Sequence, residues 1–347
     1  MTEETSPVLT EIPRYIPPPP SYQPEVTLAP PRRPTANIVL FALTLLTTTM
    51  AGAYMAGVDH PLLRPAGLLQ GLTFSVPLMA ILLLHELGHY ITARRNNVSV
   101  TLPYFIPAPL PSVFIIGTFG AFIRMKSAPR SRRIMFDVGA AGPWAGMLLA
   151  VPAVIIGLHY SEVLPLEHGA GGLELGNSLL FLGLARAILG VNPNAVTINL
   201  HPIAFAGWIG LFVTTLNLLP VGQLDGGHVI YALFGRSHRT ISRLFVVCCV
   251  LMVVFPWILG WSYWTGWLLW AVLLVFLGLG HPAAMDTETP LDSRRRVAAW
   301  LTIILFVITF SPVPISLAPP PEAPTGSQVY DVVHHPPVVQ HPHWVSL

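Results

Sequence analysis

Residues 68–93 read LLQGLTFSVPLMAILLLHELGHYITA, and a histidine–glutamate cluster stands inside this apolar run. The first two thirds of the run contain few polar residues, and His85, Glu86 and His89 then follow within five positions. The run is long enough for an α-helix that crosses a bilayer, which takes about 20 residues. The sequence therefore predicts a membrane helix that carries ionisable side chains.

The composition is that of an integral membrane protein. Of the 347 residues, 53% are hydrophobic and 10% are charged, whereas soluble domains contain about 25% charged residues. A net charge of +2 with scattered basic residues gives no sign of a nucleic-acid partner. Cys248 and Cys249 are adjacent and cannot form a disulfide framework. The N-terminus is polar and acidic, so no cleavable signal peptide is expected.

Proline-rich tails are predicted on both sides of a single membrane-embedded domain, residues 37–317. Residues 1–36 and 318–347 are expected to be extended and disordered. The C-terminal tail contains four histidines, so a second metal site is the alternative interpretation to a solvated tail. They are His334, His335, His341 and His343.

Seven apolar segments in this domain approach the length of a membrane span. They predict an all-α polytopic membrane protein with about six or seven transmembrane helices of about 20 residues each. Residues 177–190 are too short and too interrupted for a span and are interpreted as an interfacial helix. If they do span, every later orientation reverses. The predicted spans are 37–57, 68–93, 134–158, 201–219, 241–259, 263–280 and 297–317.

Basic residues predict the orientation, because cytoplasmic loops carry an excess of Arg and Lys. Placing the N-terminal tail and the loops 94–133, 235–243 and 281–296 on one side collects 16 of the 18 basic residues there. Only Arg64 and Arg186 remain on the other side. We therefore expect a multi-pass plasma-membrane protein with HELGH toward the cytoplasm.

The HELGH spacing is that of a metal site on a helix. His85 and His89 lie four residues apart with Cβ atoms about 5–6 Å from each other, so both imidazoles can bind one zinc ion at about 2.0–2.1 Å. Glu86 lies on the same turn, where it can polarise a water molecule at the metal. The alternative is a chance match whose side chains are only hydrogen-bonded. A charged residue at membrane depth costs at least about 2.5–3.5 kcal/mol, which favours function.

The segment NLLPVGQLDGGH, residues 217–228, supplies a third ligand. Asp225 offers a carboxylate oxygen, and the predicted orientation places it at the same membrane face as HELGH. Two histidines and one carboxylate leave zinc an open position for catalysis. LDGG alone would fit an ordinary turn equally well, so the prediction depends on its pairing with HELGH.

Together, HELGH and NLLPVGQLDGG resemble the motifs of the site-2 protease family, which are intramembrane zinc metalloproteases. GPWAG at 142–146 resembles the family's GPxAG segment. Gly280-His281-Pro282, followed by Asp286 and Pro290-Leu291, resembles a trailing motif of members without added domains. The similarity covers about residues 68–296. About 40 residues between 159 and 200 are too few for a PDZ domain, and nothing after 296 resembles a nucleotide-sensing CBS domain.

The resemblance implies one catalytic zinc ion, with His85, His89 and Asp225 as ligands and Glu86 as general base. Asn217 matches a family asparagine that positions the substrate or the oxyanion, although alone it fits a bond to neighbouring backbone. The implied function is cleavage of single-span membrane proteins in or near their transmembrane segments, within the lipid bilayer. The alternatives are a metal-ion transporter that uses the same cluster and a catalytically inactive membrane scaffold.

Residues 99–125 are apolar but contain four prolines, which exclude a regular spanning helix. Residues 113–123 are rich in β-branched and aromatic side chains, which favour strands. Non-helical backbone at membrane depth is tolerated only against protein or a wet cavity. We therefore predict a re-entrant β-hairpin beside the metal, with an ordinary cytoplasmic loop as the alternative. The resemblance implies that its edge pairs with an unwound substrate segment.

Overall fold

The computed structural model describes residues 34–109, 114–165, 172–280, 289–318 and 345–346, which are mostly helical. The α-helices of these residues are α1 Thr35–Met55, α2 Pro65–Gln70, α3 Leu72–Arg95, α4 Arg132–His159, α5 Leu179–Leu189, α6 Pro202–Asn217, α7 Asp225–Phe234, α8 His238–Leu259, α9 Gly266–Leu277 and α10 Ser293–Thr309. The strands are β1 Tyr104–Pro107, β2 Thr118–Phe122, β3 Glu162–Pro165, β4 Gly172–Leu175, β5 Val196–Asn199, β6 Ile315–Ala318 and β7 Val345–Ser346.

Four stretches of the described chain are long and apolar enough to cross a membrane. They are α1, α3, α4 and the stretch Asp225–Leu259, which contains α7 and α8. The predicted spans 201–219, 263–280 and 297–317 correspond to the shorter helices α6, α9 and α10, with 16, 12 and 17 residues. The architecture is therefore that of a membrane protein, and the count of six or seven spans stays a prediction.

Two of the predicted spans are longer than the helices that occupy them, for backbone reasons. The helix α9 ends at Leu277, because the next residue, Gly278, has a φ of 93° that other residues rarely adopt. The helix α10 ends at Thr309, since Pro312 and Pro314 lack the N–H groups that would continue it. Residues 315–318 form β6 instead, so the prediction of a helix up to 317 is wrong at its end.

Helices α3, α4 and α6 pack closely because small residues stand at their contacts. A Cβ on Gly88 of α3 would come within 2.6 Å of the Ala141 carbonyl oxygen of α4. A Cβ on Gly207 of α6 would come within 2.7 Å of the Val154 nitrogen, also on α4. The backbones therefore approach each other without intervening side chains. This packing sets HELGH, at the C-terminal part of α3, directly against α4.

Strands β1 and β2 pair antiparallel within the stretch predicted to form a hairpin. Two side chains of α1 hold them. Asn37 Nδ2 donates to the carbonyl oxygens of Leu102 and Pro103, at 3.0 and 2.8 Å. Thr47 Oγ1 donates to the Gly117 carbonyl oxygen at 2.7 Å, just before β2. The hairpin is thus fixed along the first helix of the described chain.

A second, five-stranded sheet has the order β3-β5-β7-β4-β6. The residue pattern did not predict it, because its strands have four residues or fewer and too little alternation to be recognised. The strand β7 belongs to the predicted C-terminal tail and pairs with β4 and β5. Most of both tails, including the four tail histidines, lies outside the described residues, so the domain boundaries stay predictions.

The last helix, α10, is attached to α4 by polar contacts. Arg295 donates to both carboxylate oxygens of Asp137 on α4, at 2.8 and 2.7 Å. It also donates to Asp292, and this bond holds the pKa of the Asp292 carboxyl at about 2. One heptad further along both helices, Trp144 Nε1 donates to Thr302 Oγ1 at 3.0 Å. These contacts keep α10 against the helix that faces HELGH.

Candidate metal centre

The three predicted ligand side chains converge on one point. Asp225 Oδ2 lies 3.3 Å from His85 Nε2 and 3.2 Å from His89 Nε2, and the two Nε2 atoms are 3.1 Å apart. Bonds of about 2.0–2.1 Å to a tetrahedral zinc ion would separate ligand atoms by about 3.3–3.4 Å. The three atoms therefore stand at the spacing that such an ion requires. Within the part of the chain that the structure describes, His85, His89 and Asp225 form a group whose ligand atoms lie close enough together to hold a metal ion.

Helix α4 fixes the tautomer of one histidine. His89 Nδ1 lies 2.7 Å from the Val138 carbonyl oxygen. A carbonyl only accepts hydrogen bonds, so Nδ1 carries the proton and Nε2 directs its lone pair toward Asp225 and His85. A hydrogen bond from the ring nitrogen that does not bind the metal orients a metal-binding imidazole. No residue pattern signals this contact, because any residue offers a backbone carbonyl.

Two glycines of the GPWAG segment make room for the histidines. A Cβ on Gly142 would overlap the His89 imidazole at its Nε2 atom. A Cβ on Gly146, one turn further, would lie 3.3 Å from the Cβ and Nδ1 atoms of His85. The segment was recognised in the sequence by its resemblance alone. In the structure its two glycines, Gly142 and Gly146, lie directly against the side chains of His89 and His85.

Asp225 is positioned by the tight loop that starts α7. A Cβ on Gly226 would overlap the Leu218 carbonyl oxygen, and one on Gly227 would come close to the Gly222 carbonyl oxygen. The loop can therefore fold back on the first turn of α7 only with glycine at both positions. Asp225 stands at the N-terminal end of this helix, where the dipole favours a carboxylate.

A cavity of about 400 Å³ opens beside the ligands. All five residues that the sequence predicted for the site line it, together with residues of the β2 end and of the loop before α7. Its lining consists of His85, Glu86, His89, Ala121, Phe122, Ile123, Arg124, Met125, Val138, Asn217, Gln223, Leu224, Asp225 and His228. Asn217 Nδ2 lies 3.3 Å from His85 Nε2, at the rim of the ligand triangle.

Sequence reasoning missed several members of this lining. His228 follows Asp225 by three positions and therefore shares its helix face, which is a signal that could have identified it. It is buried, and its Cβ lies against Gly139 of α4. Arg124 and Gln223 carry no comparable signal, since only the folded hairpin and loop bring them to the cavity.

The charges of the centre favour a divalent cation. With neutral imidazoles, Glu86 and Asp225 bring two negative charges into a site where His85, Glu86 and His89 are only 4%, 5% and 6% exposed. Buried charges are costly unless they are paired or coordinate a metal. Two positive charges from zinc would compensate them. The donor set, its spacing and its charge thus all fit zinc.

Comparisons with known proteins agree with this chemistry. Residues 73–259 match the model of peptidase family M50, a stretch that contains both HELGH and LDGG. The probable zinc metalloprotease EGY1, chloroplastic, of Arabidopsis thaliana is 32% identical over 244 residues, which are 68% of this chain and 42% of that protein. Its Oryza sativa (subsp. japonica) counterpart is 40% identical over 166 residues, 46% of this chain and 27% of that protein.

A third relative matches almost the full length of this chain. The probable zinc metalloprotease EGY2, chloroplastic, of Arabidopsis thaliana is 27% identical over 307 residues, 87% of this chain and 51% of that protein. The chain thus spans about half, or less, of the curated relatives that it matches. The descriptions of these relatives and the His-His-Asp cluster together support zinc as the cofactor.

Proposed function

The chain belongs to peptidase family M50, the site-2 protease family, and we propose that it is an intramembrane zinc metalloprotease. The observation that carries the proposal is the convergence of His85, His89 and Asp225 in one cavity with Glu86. The substrates would be single-span membrane proteins, cut in or near their transmembrane segments. The lipid bilayer would hold both the enzyme and the substrate.

In this proposal each residue of the centre has one role. His85, His89 and Asp225 would hold the zinc ion, which as a Lewis acid would polarise the carbonyl of the scissile peptide. Glu86 would accept a proton from the attacking water and pass it to the leaving amide nitrogen. Asn217 would donate its amide N–H to the carbonyl oxygen as that oxygen gains negative charge.

We further propose that the β1–β2 hairpin is re-entrant. Its two attachments to α1 are ten residues apart, at Asn37 near the start of the helix and at Thr47 near its middle. At about 1.5 Å per residue they are separated by about 15 Å, half of a hydrocarbon core of about 30 Å. If α1 spans the membrane, the hairpin turn reaches mid-depth. There the turn side of the hairpin contacts α1 at Thr47, while the other end of β2, at Ala121 and Phe122, borders the metal cavity.

The proposed topology completes six or seven spans with α6, α9 and α10, and it places the metal centre toward the cytoplasmic face of the plasma membrane. The support is the concentration of arginines near 94–133, 235–243 and 281–296. The helix α5, with 11 residues, is about 16 Å long and too short to cross alone. The relatives are described as chloroplastic, which concerns the location of those proteins.

A single assay tests the proposed activity. Purified protein in detergent is incubated with a tagged single-span substrate, with and without a chelator, and the products are separated by electrophoresis. We expect cleavage that stops when zinc is removed and returns when one equivalent of zinc is added back, because the three ligands supply one site. Cleavage that persists in the zinc-free protein contradicts the proposal. Zinc uptake into sealed vesicles without any cleavage would support the transporter alternative.

Cysteine labelling tests the hairpin and the orientation together. In a background with Cys248 and Cys249 replaced by alanine, we introduce Ile115→Cys near the hairpin turn and Ala128→Cys after the hairpin. Both parent residues are exposed. A membrane-impermeant maleimide should modify Ala128→Cys from the cytoplasmic side and leave Ile115→Cys unmodified, because the turn lies at membrane depth. Equal labelling of both from the cytoplasmic side indicates an ordinary loop, and labelling of Ala128→Cys from the opposite side indicates the reverse orientation.

A further inference from the structure

Arg124 is the single arginine or lysine among the described residues that line the metal cavity. Its backbone is fixed at the end of the hairpin. Its N–H donates to Thr101 Oγ1 at 3.0 Å, and its carbonyl oxygen accepts from the Thr101 N–H at 3.0 Å. Its side chain is exposed, and within the described residues it forms no ion pair. The cavity wall therefore carries one positive charge that no described carboxylate pairs with.

Strand alternation places this charge on the open face of the hairpin. The backbone stays extended past the end of β2, where Met125 forms an antiparallel bridge with Val100, and side chains of an extended chain point alternately to opposite faces. Ile123 and Met125 pack into a cluster with Val98 and Val138, so they occupy the protein face. Phe122 and Arg124 therefore point the other way, and Phe122 is 46% exposed. The open face that adjoins the cavity presents apolar surface and one guanidinium.

The backbone of Arg124 lies next to the position of the proposed chemistry. The backbone N–H of Ile123 faces the Glu86 carboxylate, and Arg124 is the next residue. An extended peptide advances about 3.3 Å per residue, so a substrate side chain beside Arg124 would be about one to three residues from the scissile bond. The carboxylates of the cavity, Glu86 and Asp225, would be compensated by zinc. Arg124 is then the charge that an approaching substrate meets.

We propose that Arg124 is a specificity-determining residue that selects substrates with an aspartate or glutamate near the scissile bond. A guanidinium suits this role because its planar donors match the two oxygens of a carboxylate. The remaining surface around it is apolar and suits a segment that comes out of a membrane. This inference rests on the proposed protease function and adds the class of side chain that the enzyme prefers.

The test compares matched substrates. Asp, Asn or Lys is placed in turn at each of the three positions on either side of the cleavage site, which is first located by mass spectrometry, and kcat/KM is measured. At one position the wild type should cleave the Asp substrate about two- to fivefold faster than the Asn substrate, the size expected of an exposed ion pair. Arg124→Gln should remove this preference, and Arg124→Glu should reverse it in favour of Lys.

Arg130→Gln is the control, because Arg130 is exposed but does not line the cavity. It should keep the wild-type preference, and all variants should keep the wild-type zinc content. If Arg124→Glu lowers the cleavage of all substrates equally, the residue serves the membrane surface or the fold, and the inference is overturned. Cleavage by the wild type without any charge preference overturns it as well. A wild type that cleaves no substrate at all contradicts the proposed function itself.

Discussion

Replacing Glu86 by glutamine is expected to lower peptide cleavage by about 10²- to 10⁴-fold, the usual contribution of a positioned general base. The amide of glutamine has nearly the same shape but cannot accept the proton from water. The zinc content should stay at one ion per chain, since Glu86 is not one of the three converging ligands. Both quantities are measured on the same purified sample, the rate by substrate cleavage and the metal by mass spectrometry.

Glu162→Gln is the matched control for this substitution. Glu162 is an exposed residue of β3, where it accepts a hydrogen bond from Asn199 Nδ2 at 3.4 Å. Its replacement should change neither the zinc content nor the rate. If Glu86→Gln cleaves at the wild-type rate, Glu86 is not the base. If it loses zinc together with activity, Glu86 contributes to metal binding, and the proposed division of roles is wrong.

The local part of the metal centre could be predicted from the sequence, because its geometry is a property of one helix. His85 and His89 are one turn apart, so any helix through HELGH brings them together. Asp225 could be added only by joining two distant segments, which depended on the orientation and on a family resemblance. The structure places its carboxylate 3.3 and 3.2 Å from the two Nε2 atoms.

Other features depend on tertiary contacts that leave no pattern along the chain. The hydrogen bond from His89 to the Val138 carbonyl forms only when α3 and α4 pack in one particular register along their axes. Strands β3 to β7 are too short to show alternation and are stabilised by pairing with distant residues. The helix ends at 277 and 309 were missed because apolar composition continues past Gly278 and Pro312, while helical backbone does not. Hydropathy thus located the apolar segments better than it located their ends.

Gly142→Ala is expected to weaken zinc binding and activity about 10- to 100-fold, the range seen when groups that orient metal-binding histidines are changed. The new methyl group would occupy the position of the His89 imidazole. Moving α4 away from α3 would break the close packing of Gly88 against the Ala141 backbone. The imidazole must therefore turn and lose its alignment with Asp225. Zinc affinity is measured by competition with a chelator of known affinity, and cleavage is measured with the same preparation.

Gly183→Ala separates this effect from the general consequences of changing a helical glycine. Gly183 lies in α5, and nothing stands within 4 Å of the Cβ that alanine would add. Alanine stabilises a helix interior by roughly 0.5–1 kcal/mol relative to glycine, so both variants gain the same helix propensity. Gly183→Ala should keep its zinc affinity and its rate and melt at an equal or higher temperature. A Gly142→Ala protein with the wild-type zinc affinity would mean that α4 does not support the ligands. A loss of zinc affinity is therefore expected only where the added methyl group contacts a predicted ligand, as it does at Gly142.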